Sequence, residues 1–129
     1  DKLRKLLSRE QGHDSLITPH SEKVLFLLQY NGLPIGQLSI SDGEWTFVYT
    51  DAFKEQNEIK ALIDFPILDK EYNSKKLWPF FSIRIPSLAQ PTVQKIIKDE
   101  NIDKDNTVNL LKHFGKWTIA NPFELAVAS

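Results

Sequence analysis

Residues 23–50, KVLFLLQYNGLPIGQLSISDGEWTFVYT, constrain the fold most tightly. Three apolar runs are separated by two short turn signals, Asn31-Gly32 and Ser41-Asp42-Gly43. Asn-Gly and Asp-Gly accept the positive φ angles that a two-residue hairpin turn demands. The third run alternates, with Trp45, Phe47 and Tyr49 on one face and Thr46, Val48 and Thr50 on the other. The pattern predicts an antiparallel meander of three strands.

The meander occupies a fifth of a chain of 129 residues, which is enough for one domain with its own core. After it, DAFKEQ predicts a single helical turn with Asp51 as its cap. ALIDFPI reads as a further strand cut short by Pro66. From residue 90 the period changes. QPTVQKIIKDENI places Val93, Ile96 and Ile97 on one helical face. DNTVNLLKHFG does the same for Val108, Leu111 and either Leu110 or Phe114, with Gly115 as the stop. KWTIANPFEL reads as extended, Trp117 and Ile119 sharing a face. The fold class expected is α+β: a small antiparallel, partly curled sheet with two C-terminal helices. Ahead of it, DKLRKLLSRE spaces Leu3, Leu6 and Leu7 as a short amphipathic helix, packing on its own domain or on a partner. A polar, turn-rich linker follows. Residues 1–22 are therefore read as an extension and 23–129 as the domain.

The sequence offers no catalytic motif. Its five glycines form neither GxGxxG nor a GxxxxGK[ST] phosphate loop, and Asp64-Phe65 is followed by proline, not by the glycine of a metal-binding DFG. His13, His20 and His113 lack metal-ligand spacing, and Asp99, Glu100, Asp103 and Asp105, interleaved with Lys98 and Lys104, read as a solvated turn. No cofactor and no metal are expected, and the chain is read as a non-enzyme. A net charge of -1 gives no general attraction to nucleic acid or to an anionic membrane. The absence of cysteine fits a reducing cytoplasm, where the protein is expected.

What remains is aromatic surface. KLWPFFSIRIPS gathers Trp78, Phe80 and Phe81 around Pro79, with Arg84 and Pro86 after them. Trp45 and Trp117 are read as core. Trp78, which follows two lysines and precedes a proline, is open between core and interface. Either Phe80 or Phe81, or both, should anchor the segment inside.

In order along the chain, four stretches resemble the N-terminal region of the HipA-type Ser/Thr kinases, the toxins of bacterial toxin–antitoxin modules. VLFLLQYNGLPIGQL is similar to that family's opening LxLxxNGxxVGxL hairpin, and Phe47-Val48-Tyr49 to its xFxY strand. Pro79, Phe80, Phe81 and Pro86 partly match a PFFxxLLPE-like segment. VNLLKHFGKWTIANPFEL is similar to the closing fxLLxxfGxxtxgAxxL stretch. The sequence departs from the pattern at Arg84, where leucine is usual, at Ser87, where glutamate is, and at Asn121-Pro122, in place of a small Gly-Ala pair. The resemblance runs from Val24 to Leu125, with no kinase body after it.

A subdomain of this kind standing free resembles the small HipS proteins of three-gene HipBST modules. That resemblance implies an antitoxin or regulatory subunit that binds and inhibits a HipT-like kinase in trans. Trp78, Pro79, Phe80, Phe81 and Arg84 are then the expected partner-binding residues. It leaves open an accessory that bridges the kinase to a HipB-like helix-turn-helix repressor on an operator. Direct nucleic-acid and membrane binding are not expected.

Overall fold

The computed structural model describes residues 22–128, and the expected N-terminal helix lies outside them. Five antiparallel strands form an open sheet: β1 Val24–Tyr30, β2 Leu33–Ser41, β3 Glu44–Tyr49, β4 Tyr72–Ser74 and β5 Glu124–Val127, in the spatial order β4-β3-β2-β1-β5. Among the described residues four helices accompany them: α1 Asp51–Lys54, α2 Pro79–Ser82, α3 Pro91–Asp99 and α4 Thr107–Phe114. The α+β class expected from the sequence is the class observed. Among the described residues no helix is long and apolar enough to cross a membrane.

The meander forms as its turn residues dictate. Asn31 and Gly32 take φ of 49° and 81°, and Asp42 and Gly43 take 53° and 76°, the paired positive values of a tight hairpin turn. Register then places Phe26 opposite Leu38 and Leu38 opposite Phe47, all three buried. The β1–β2 register shifts between Leu28 and Gln29, where Gln29 faces Pro34. Proline has no N–H to give the ladder, so the regular pairing gives way there. At Gly36 a Cβ would lie 2.4 Å from the Phe47 ring, so glycine is what lets that ring lie across β2.

One face of the sheet carries the core: Phe26, Leu28, Leu38, Ile40, Trp45, Phe47 and Tyr49. Val108, Leu110 and Leu111 of α4 and Phe81 of α2 join the same cluster. Val93 is buried and Ile97 half-buried, whereas Ile96, expected inward, is exposed at the edge of the α3 stripe. Of the alternatives at α4, Leu110 is fully buried and Phe114 only partly.

Two local expectations are corrected, and a third holds for a different reason. Thr50, not Asp51, caps α1: its hydroxyl accepts from the Phe53 N–H at 3.1 Å and donates to the Pro34 carbonyl at 2.6 Å. Asp51 is instead the first helical residue, exposed, where a carboxylate suits the helix dipole. ALIDFPI is no strand but part of the connection between α1 and β4, and the strand that does pair with β3 is Tyr72–Ser74. Gly115 ends α4 as expected, but with φ of -84°, so left-handed backbone is not its reason. A Cβ there would lie 2.3 Å from the Leu111 carbonyl oxygen.

Candidate protein-docking surface

The aromatic segment is built from its prolines. Trp78 sits in extended backbone (φ -64°, ψ 147°), as a residue before proline prefers, and Pro79 opens the single turn of α2. The Trp78 carbonyl accepts from the Phe81 and Ser82 N–H groups at 2.9 and 3.0 Å. This turn sends Phe81 straight down: it is fully buried, with its ring centre 5.7 Å from that of Phe47 and 6.0 Å from that of Phe65. Phe80 and Trp78 flank it, half-buried. Trp78 meets the buried Phe65 edge to face at 5.1 Å, and Phe80 meets Phe81 at 5.0 Å. Pro79 is exposed. Trp78, Pro79 and Phe80 thus form an aromatic rim mounted on a rigid floor of Phe65 and Phe81.

The connection between α1 and β4 supplies that floor. The Tyr49 hydroxyl donates to the Phe65 carbonyl at 2.6 Å and accepts from the Leu62 N–H at 2.8 Å. Burial pushes the Tyr49 phenol up to about 12, so it stays a donor at neutral pH. Between the two clamped residues Ile63 stands 95% exposed. Further along, the Tyr72 hydroxyl accepts from the Ile67 N–H at 2.8 Å, and Ile67 too is exposed.

Arg84 is not on the rim. It is 4% exposed, and its guanidinium donates to the carbonyls of Gly115, Lys116 and Phe123 and to Asn121 Oδ1, at 2.9–3.2 Å. Burial pushes its pKa down to about 10, which leaves it charged at neutral pH with carbonyl oxygens as its solvent. Arg84 and Phe81 therefore belong to the scaffold of the expected site, and Trp78, Pro79 and Phe80 to its surface. Arg84 and Asn121, two of the departures from the pattern the sequence resembles, are bonded to each other.

The sequence reading missed a second exposed set. Trp117, expected in the core, is 60% exposed, and Ile119 is fully exposed. KWTIANPFEL is not one extended run. Thr118 and Asn121 pair across a turn before β5 begins at Glu124. Asn121-Pro122, a turn dipeptide, was the available signal. Among the described residues no three His, Cys, Asp or Glu side chains gather as a metal site.

A family model described as the HipA N-terminal domain matches residues 27–119. The chain belongs to the HipA N-terminal domain family. No curated protein matches it. In this HipA N-terminal domain the matched span begins inside β1 and ends inside the turn after α4, somewhat shorter at both ends than the resemblance from Val24 to Leu125. It contains the Asn-Gly hairpin, the aromatic rim, Arg84 and α4.

Proposed function

We propose that this HipA N-terminal domain acts as an antitoxin, docking on a HipT-like Ser/Thr kinase in the cytoplasm and restraining it. Membership of the family gives the context. The observation that carries the reading is the aromatic rim: Trp78, Pro79 and Phe80 half-buried or exposed over a fully buried floor. Such a rim loses little freedom on binding, because Pro79 and the rings beneath already fix it. Inhibition then needs no chemistry from this chain. It is a binding equilibrium, and its depth follows the affinity of the complex.

The test mixes purified domain and kinase on a size-exclusion column and assays kinase activity across a titration. Co-elution with loss of activity is expected; separate elution at micromolar concentrations overturns the proposal. Trp78→Ala should weaken the complex by about 2 kcal/mol, roughly thirtyfold, while the fold survives. Phe81→Ala serves as the contrast. It removes a fully buried ring and should cost about 3–5 kcal/mol of stability, read in a thermal melt.

A further inference from the structure

Arg84 ties down both ends of one short segment. Nη1 holds the carbonyls of Gly115 and Lys116, and Nη2 holds Asn121 Oδ1 and the Phe123 carbonyl. Between these ties the backbone turns, and Trp117 and Ile119 face water. A buried cation is thus spent on holding two large apolar side chains outside the core, where neither gains from burial.

Beside this turn opens a cavity of about 360 Å³. Tyr30, Trp117 and Pro122 supply its apolar walls, and Gln29, Asn31 and Glu124 its polar groups. The Glu124 carboxylate is oriented on one side by Gln29, whose Nε2 donates to Oε1 at 3.2 Å. Its other oxygen, Oε2, lies 3.5 Å from Lys116 Nζ. The same Nζ stands 5.8 Å from the centre of the Trp117 ring. Both contacts are long, and the Lys116 side chain is 60% exposed. A carboxylate and an aromatic face converge on one cation, which holds neither tightly.

We propose that the Trp117–Glu124 cavity receives an arginine side chain from a protein partner, and that Lys116 is a resident competitor for the same niche. A guanidinium suits the site better than an ammonium. It is planar, stacks on an indole, and donates in a fork that matches a carboxylate. Ile119, two residues after Trp117 and fully exposed, calls for a macromolecular partner, since a free amino acid would leave it in water. Ring contacts join the cavity wall to the aromatic rim: the Phe123 ring centre lies 5.9 Å from that of Tyr30 and 6.3 Å from that of Phe80. The arginine-bearing partner need not be a kinase.

The probe is N-acetyl-arginine amide, titrated into the isotope-labelled full chain and followed by NMR at the Trp117 indole N–H and the Gln29 side-chain amide. N-acetyl-citrulline amide, of the same shape without the charge, is the control. A saturable shift with the arginine probe alone is expected, at affinities on the order of 1 mM. Glu124→Gln and Trp117→Ala should abolish it, the latter read at Gln29. Lys116→Ala should tighten binding about two- to fivefold, the worth of an exposed ion pair released. That variant leaves the sheet untouched and is read on its own. Equal shifts with citrulline, no saturation with arginine, or unchanged or weaker binding in Lys116→Ala overturns the proposal.

Discussion

Tyr49 shows how one hydroxyl can hold a long connection. It spans the Leu62 N–H and the Phe65 carbonyl, and so sets Phe65 beneath the aromatic rim. Tyr49→Phe leaves both backbone groups without this partner and should cost about 1–3 kcal/mol near neutral pH. The pH dependence has a definite sign. The folded phenol titrates at about 12 and the unfolded one near 10, so the folded state holds the proton longer. Its contribution is whole below pH 10 and is lost as pH rises through 12. The stability gap between wild type and Tyr49→Phe should therefore narrow by about 2–3 kcal/mol over that window, measured by urea unfolding at each pH. Arg84 has the opposite balance. Burial alone costs stability at neutral pH, and four hydrogen bonds offset that cost. Arg84→Ala should lose about 3 kcal/mol or more in urea, because the carbonyls of Gly115, Lys116 and Phe123 then lose a charged donor. Arg84→Lys should not restore it, since an ammonium cannot reproduce the fork.

At the scale of elements, the meander is the rigid part and the connections carry the display. β2 lies between β1 and β3, and its pairing depends on how closely Phe47 approaches Gly36. Gly36→Ala should cost about 1–3 kcal/mol by overpacking, with no change in the turn residues. A lowered melting temperature with a native-like far-UV circular dichroism spectrum is the expected result. A variant that melts with wild type would mean that the ring moves aside freely. α2 is one turn long, yet it decides which ring goes in and which stay at the surface. Pro79 fixes the start of that turn, and adjacent phenylalanines on a helical turn must then point in different directions.

Among the described residues, the sheet carries a core on one face and two displays beside it, the Trp78–Phe80 rim and the Trp117–Ile119 turn, linked through Phe123. Both hang on buried residues far apart in sequence. The sequence carries no phosphate-loop motif and no catalytic Asp/Asn loop motif. The isolated domain should show no saturable heat on calorimetric titration with Mg-ATP. A micromolar nucleotide site would overturn the non-enzymatic reading.

The meander was legible from residues alone because its determinants are local. Turn φ angles, strand alternation and the helical stripes of α3 and α4 are set within a few positions. The aromatic segment was legible as unusual, and so was the need for a buried phenylalanine within it. What the sequence could not assign was the fate of side chains whose partners lie far along the chain. Arg84 looked like a surface contact because arginine is seldom buried; only the convergence of Gly115, Lys116, Asn121 and Phe123 on it supplies the acceptors that make burial tolerable. Trp117 looked like core because tryptophan usually is, and the Arg84 ties with the Thr118–Asn121 turn put it in water instead. β4 escaped notice because three residues carry too little pattern, and its pairing with β3 exists only once the chain has folded back. Local backbone preference is written in neighbouring residues, whereas burial of a charge or exposure of an indole is decided by groups that only the tertiary fold brings together.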